Sequence, residues 1–261
     1  MELSSSTNPE LCCRLCKSAV RPWARSIHGV RYEWCPQCGA VQRSAAHLPS
    51  QEAEIARYRE HNNQPDNQDY RDYLQRFIDS AIVPFTGVQH DSGYPPGDPL
   101  RILDFGSGPY PVLSDLLRDQ GFSVASYDPF FLPDETVLEA DPAGGPRYDA
   151  IVLLEVIEHL HHPRAELDRL LTLLRPGGSL ILRTGLFDAR DPAEDVAGTD
   201  ERAGETANGP AAERFLSWWY RRDPTHVVFL TPRTLDWIQE HYEMRLIHRA
   251  KGEELVFARA G

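Results

Sequence analysis

No cysteine occurs after Cys38 in a chain of 261 residues. No apolar run approaches the roughly twenty residues needed to span a bilayer, and Met1-Glu2-Leu3-Ser4-Ser5-Ser6 places no basic cluster ahead of an apolar stretch. A disulfide framework across the chain is therefore excluded. Neither a membrane partner nor a secretory signal is expected, and the reading is cytoplasmic. Positive charge is also short: 27 Lys/Arg face 39 Asp/Glu, for a net charge of −12. Residues 1–48 hold six Lys/Arg against three Asp/Glu, a balance of +3 that leaves −15 on the remainder. An acidic main body repels a phosphate backbone, which argues against a long nucleic-acid footprint.

All five cysteines lie within the first 38 residues, four of them as Cys13-x2-Cys16 and Cys35-x2-Cys38 with eighteen residues between the pairs. That is the spacing of a zinc ribbon. Two such turns place four thiolates around one metal and stabilise a module too small for a core of its own. Cys12 is the odd one out and is an alternative to Cys13 in the first turn. Disulfides are the competing reading, opposed by a cytosolic chain with paired Cys-x-x-Cys units, and a redox-active Cys-x-x-Cys is a further one, though no strand-helix context surrounds it.

The apolar run Leu100-Arg101-Ile102-Leu103 leads into Asp104-Phe105-Gly106-Ser107-Gly108, and a second run from Phe122 to Tyr127 ends in Asp128. The first run reads as a buried parallel strand followed by a tight glycine turn, and the later acid suits a ribose hydroxyl. Two further blocks follow, Tyr148 to Leu160, which contains Glu155-Val156-Ile157-Glu158-His159, and Leu174-Arg175-Pro176-Gly177-Gly178-Ser179-Leu180-Ile181-Leu182. In this order, over residues 98–261, the chain resembles the class I S-adenosylmethionine-dependent methyltransferases. The resemblance implies that Asp104, Gly106, Ser107, Gly108, Asp128 and Glu155 hold S-adenosylmethionine. One departure is Tyr110, where many members have a third glycine; a bulky residue there tightens the helix entry. The implied fold is α/β, a Rossmann-like sheet of seven strands with a terminal antiparallel hairpin, preceded by the small zinc ribbon.

The organisation expected is a zinc ribbon over 1–48, a helical linker or cap over 49–97, and a methyltransferase domain over 98–261. Tyr70, Tyr73, Leu74, Phe77 and Ile78 recur at helical spacing and present one apolar face for packing. Residues 84–99, rich in proline and glycine, read as the boundary loop. Helices are expected at 164–174 and 232–241, a strand at 179–183, and a closing hairpin from 244–248 and 254–258. Residues 189–212 carry two Arg against six acids and read as a mobile insertion.

The sharpest catalytic constellation is Glu155-x-x-Glu158-His159 with the distal His226 of Asp223-Pro224-Thr225-His226. Positions i, i+3 and i+4 share one face of a helical turn, so two carboxylates and an imidazole converge. With His226 they form an oxygen- and nitrogen-rich site for magnesium or manganese. The set resembles that of small-RNA terminal 2′-O-methyltransferases and, in its first three members, ubiquinone-pathway O-methyltransferases. The metal-free alternative has Glu155 facing the cofactor with His159 or His226 as general base. Phe215, Trp218, Trp219 and Tyr220 read either as an apolar wall over the acceptor or as helix packing. The reading adopted is methyl transfer to a small molecule at oxygen. An RNA 2′-hydroxyl is the first alternative, favoured by the Glu-Glu-His-His set and opposed by the acidic charge. Carbon or nitrogen of a sugar or natural product follows, from a resemblance of the ribbon-plus-domain layout to deoxysugar C-methyltransferases and bacterial tailoring enzymes. A cofactor-binding scaffold is the non-enzyme alternative.

Overall fold

The computed structural model describes residues 12–61, 63–86, 99–141, 144, 147–188, 209–250 and 253–261. Ten strands are placed in chain order: β1 (Arg21–Arg25), β2 (Arg31–Trp34), β3 (Val41–Arg43), β4 (Arg101–Phe105), β5 (Ser123–Tyr127), β6 (Tyr148–Leu154), β7 (Leu174–Arg183), β8 (Val228–Phe229), β9 (Met244–Arg249) and β10 (Glu254–Arg259). The helices are α1 (Gln51–Arg59), α2 (Gln68–Phe77), α3 (Val83–Thr86), α4 (Val112–Asp119), α5 (Pro163–Leu173), α6 (Pro210–Ser217) and α7 (Pro232–Tyr242). Contacts divide them into two units. One comprises the described residues up to Pro49 with Glu158–Arg164 and those of Gly185–Trp237; the other comprises Ser50–Ile157, Ala165–Thr184 and Ile238–Gly261.

The larger unit is built on a six-stranded sheet in the order β5-β4-β6-β7-β10-β9. β4 pairs in parallel with β5 and β6, and β6 with β7. β10 runs antiparallel to both β7 and β9, which is the expected terminal hairpin. The parallel strands read as unbroken apolar runs because both faces are covered; Ile102, Leu103, Ala150, Ile151, Val152 and Leu153 are wholly buried. Six strands are present among the described residues, one fewer than expected. After β5 the chain meets Pro133, which has no ladder donor. Asp134 then accepts from the Thr136 amide at 3.1 Å and starts a 3-10 turn, Glu135–Leu138, instead of a strand.

Asn67 caps α2 by accepting from the Tyr70 amide at 3.2 Å. The helix buries Leu74 and Phe77 and continues as a π-helical stretch, Ile78–Ile82, into α3. These side chains join Leu113, Leu116 and Leu117 of α4 and Val152, Ile181 and Val256 of the sheet in one apolar core. The helix persists through Pro84, which the boundary-loop reading took as its end. Pro84 directly follows the π-helical stretch inside this continuous helix, where it leaves an interior hydrogen bond unmade, and burial of Ile78, Ala81 and Ile82 outweighs that loss.

The smaller unit carries the sheet β1-β2-β3-β8, antiparallel throughout. Its core is aromatic, with Tyr32 and Trp34 of β2, Phe187, Phe215 of α6, Tyr220 and Phe229 of β8. Phe215 sits edge-on to Tyr32 at 4.9 Å and to Phe229 at 5.0 Å between ring centres. Of the stretch read as a mobile insertion, 189–208 lies outside the described residues, and Pro210 to Ala212 form the first turn of α6. Phe77→Ala should cost about 3–5 kcal/mol in urea denaturation. A loss under about 1 kcal/mol, as for a surface linker, would show that α2 is not part of this core.

Candidate functional site

In the smaller unit the four paired cysteines converge. The Cys13 and Cys38 sulfurs are 3.6 Å apart and those of Cys16 and Cys35 3.3 Å apart. All four can offer sulfurs within 4.8 Å of one another, and none is in a disulfide. Each turn is closed the same way. Lys17 N donates to Cys13 O at 3.0 Å and Gly39 N to Cys35 O at 2.8 Å, and the residue after each second cysteine, Lys17 or Gly39, has a positive φ. Hydrogen bonds from neighbouring thiols, that of Cys13 first, drive Cys16 and Cys35 down, Cys35 to about 7. The same contacts push Cys13 and Cys38 up. Four soft donors at near-tetrahedral spacing fit one zinc ion. Cys12 stands outside the cluster and bridges to Ala19.

A second cluster in this unit joins Glu158, His159 and His226, whose ligand atoms lie within 4.8 Å of one another. Tyr220 Oη donates to Glu158 Oε1, a carboxylate with no exposure to solvent. His159 Nδ1 lies 3.0 Å from Thr225 O, and His226 Nδ1 lies 2.7 Å from Tyr220 O. A carbonyl only accepts, so both Nδ1 atoms carry a proton, and in the neutral imidazole the lone pair is then on Nε2. The two rings are 4.7 Å apart and nearly perpendicular. Glu155 is not part of this cluster, which corrects the four-residue set. Glu155 has φ +53, outside helical geometry, and the 3-10 turn begins only at Ile157, so 155, 158 and 159 do not share a helical face. Of the aromatic group, Phe215 and Tyr220 are buried in the core, whereas Trp219 is 63% exposed.

In the larger unit β4 ends at Phe105 and the chain turns through Gly106 (φ +83) and Gly108 (φ +69). A side chain at Gly106 would place Cβ 2.5 Å from Val156 Cγ2, so the turn admits no other residue without a shift. Gly106 N and Ser107 N both donate to Tyr127 O, at 2.8 and 3.0 Å. Asp128 Oδ1 accepts from the Phe130 and Phe131 amides, and Oδ2 accepts from Gly108 N at 3.0 Å. Oδ2 thereby keeps one acceptor position for a ribose hydroxyl. Ser107 Oγ is buried with no hydrogen-bond partner, a polar atom that a ligand would satisfy. Tyr110 is 43% exposed and does not crowd α4. These features fit a nucleotide-type cofactor.

Glu155 N donates to Arg183 O at 2.8 Å, and its carboxylate lies 3.4 Å from Arg183 Nε. Arg183 also donates to Tyr73 Oη at 2.5 Å. Burial, then the charge of Glu155, pushes the Tyr73 phenol up to about 12. Tyr70, stacked on Tyr73, is raised by burial and by the nearby Asp104 charge. The sequence reading took the tyrosines as packing only and passed over Arg183. The available signal was a cation closing the apolar strand Leu180-Ile181-Leu182, at the strand end where α/β sheets bind ligands.

Asp104 lies beneath the turn. It is buried and accepts from Ser114 Oγ at 2.7 Å. Burial pushes its carboxyl from 3.8 up to about 6, against the opposing pull of Ser114. The folded state therefore holds this proton more tightly than the unfolded chain, a contribution full below pH 3.8 and lost as pH rises through about 6. Relative to Asp104→Asn, the protein should lose about 2 kcal/mol of stability between pH 4 and 7. Parallel stability curves for the two in urea would contradict the buried-acid account.

A family model described as a methyltransferase domain matches residues 47–249. Among solved structures, an O-methyltransferase family protein from Burkholderia thailandensis is 15% identical, with 83% of this chain and 64% of that chain covered and a TM-score of 0.44. A SAM-dependent methyltransferase from Archaeoglobus fulgidus is 14% identical, with 72% and 92% covered and a TM-score of 0.41. The N-methyltransferase NodS from Bradyrhizobium japonicum is 14% identical, with 76% and 100% covered and a TM-score of 0.38. The chain spans just under two thirds of the length of the first of these. No protein of curated function matches the sequence. Since the family match takes in most of its length, the chain belongs to the methyltransferase domain family.

Proposed function

We propose that this protein transfers a methyl group from S-adenosylmethionine to a hydroxyl of a small molecule. The observation that carries the cofactor is the turn itself: two left-handed glycines, a ribose-type acid bonded to one of them, and a buried Ser107 hydroxyl lacking a partner. When bound, S-adenosylmethionine supplies an already activated methyl sulfonium. What remains for the chain is to orient the acceptor, exclude water and take up a proton.

The proton acceptor in this reading is the histidine pair. Each imidazole is fixed by a carbonyl at Nδ1, which leaves Nε2 basic and directed by the backbone rather than by a mobile side chain. A hydroxyl acceptor needs such a base, because an alcohol is a poor nucleophile until its proton is shared. Glu155, paired with Arg183, belongs with the cofactor-side residues. A second reading, favoured by the grouping within 4.8 Å, is a divalent ion on Glu158, His159 and His226. Without Glu155, two imidazoles and one carboxylate suit manganese better than magnesium. Zinc on Cys13, Cys16, Cys35 and Cys38 completes the proposal, and a reduced thiol cluster agrees with a cytoplasmic setting.

Asp128→Ala should weaken S-adenosylhomocysteine binding in calorimetry by roughly 10- to 100-fold, as about 1–3 kcal/mol of charge-assisted hydrogen bonding is lost. No detectable binding to the wild-type protein at millimolar ligand would remove the enzyme reading. Tested on a panel of phenols, sugars and short RNA ends, transfer should persist in a chelator that leaves the ribbon zinc in place, and decline below a pKa in the histidine range, if the pair is the base. Loss of transfer in chelator, restored by manganese while zinc is retained, would establish the metal reading instead. Elemental analysis should find one zinc per chain, lost in Cys35→Ser; full zinc content in a variant lacking all four cysteines would defeat the ribbon assignment.

A further inference from the structure

Both carbonyls that set the histidine tautomers, Tyr220 O and Thr225 O, belong to one short segment, residues 220–227. The segment has some order of its own. Asp223 Oδ1 accepts from the Thr225 amide and hydroxyl at 2.9 and 2.6 Å, and Val227 N donates to Glu158 O at 2.8 Å. Tyr220 packs in the aromatic core and its hydroxyl donates to Glu158, and further restraints come from the cysteine ribbon. Arg43 of β3 donates through Nη1 to Pro224 O at 2.6 Å and through its backbone N to Val227 O at 2.9 Å. Arg14, inside the first cysteine turn between Cys13 and Cys16, donates through Nη1 to Val227 O at 3.2 Å and through Nη2 to Arg43 O at 2.7 Å. The second turn holds the far side, where Thr231 Oγ1 donates to Gly39 O at 3.2 Å and β3 pairs with β8 immediately after His226.

Two guanidinium groups therefore clamp the carbonyls on either side of His226. Arg43 is 8% exposed, so its guanidinium is held by the Pro224 carbonyl rather than by water. Arg14 belongs to a turn whose backbone path is set by the cysteines flanking it. A ribbon that only stabilised its own module would need neither reach.

We propose that the cysteine ribbon positions the histidine pair: through Arg14 and Arg43 it holds residues 220–227 so that His159 and His226 keep Nδ1–H and present Nε2. This rests on the reading of the two histidines as the acceptor-side pair. Arg14 and Arg43 are positioning residues, with no contact to reacting atoms required of them. The ribbon is then a working part of the acceptor machinery, and its metal governs chemistry without taking part in it.

The test is histidine tautomer assignment by nitrogen-15 NMR of the full-length protein, with the two resonances identified from His159→Gln and His226→Gln. Both should show the Nδ1–H form in the wild type. In Arg43→Met, and after zinc is removed by chelator, the His226 resonance should move towards the mixed pattern of a solvent-exposed imidazole. Arg43→Lys, which keeps a cationic donor, should retain most of the wild-type pattern. Affinity for S-adenosylhomocysteine should stay within about twofold throughout, since the hydrogen bonds of the Arg14 and Arg43 side chains go to Val227, Arg43 and Pro224 and not to the glycine turn or Asp128. Unchanged His159 and His226 resonances in folded Arg43→Met overturn the proposal. Should Arg43→Met fail to fold, Arg14→Met, which removes only the Nη contacts, decides by the same resonances. Shifted resonances with undiminished methyl transfer support the positioning and count against the base role of the histidines.

Discussion

Parallel pairing at one register is the constraint on which the larger unit depends. Phe105 lies opposite Tyr127, Asp104 opposite Val152, and Leu154 opposite Arg183, so β4, β5, β6 and β7 finish at a common edge. Parallel strands have no alternative, because their carboxyl ends must fall on the same side. The glycine turn, Asp128, Glu155 and Arg183 are gathered there as the residues that happen to follow or close the strands. What the sequence must supply is the apolar burial that keeps the strands in register, and then the right residue at each end.

Two buried carboxylates show how polar groups are accommodated in each unit. Asp104 accepts from Ser114, and Glu158 accepts from Tyr220. In both cases a hydroxyl on a neighbouring element answers a charge that water would otherwise solvate, and the Glu158–Tyr220 bond links segments 62 positions apart. Such bonds add little net stability, but losing either partner leaves a buried charge unanswered. They act more as registration pins than as sources of binding energy.

The larger unit was largely legible in the sequence because its information is local. Leu100 to Gly108 spells strand and turn in nine residues, and the helical spacing of Tyr70, Leu74 and Phe77 names the buried face of α2. Failures arose where distant residues decide. Glu155 was read as helical from its spacing to Glu158 and His159, but its backbone bond to Arg183 imposes φ +53, and nothing in five residues of sequence records that. Among the described residues, the turn begun by Asp134 stands where the family pattern led to the expectation of a further strand. Nor does any spacing rule reveal that Arg14 would reach Val227, across 213 positions of chain.

The pairing of β3 with β8 has a consequence for how the molecule comes into being. Gln42 meets Val228 and Val41 meets Phe229. During synthesis the cysteine segment emerges well before Val228, and its sheet lacks its last strand until then. Contacts of such long sequence separation close late and slowly. The cysteine segment is thus completed long after it is made, and β3 stands as an open edge until β8 follows, a period when short strands with unpaired backbone are exposed to misassociation.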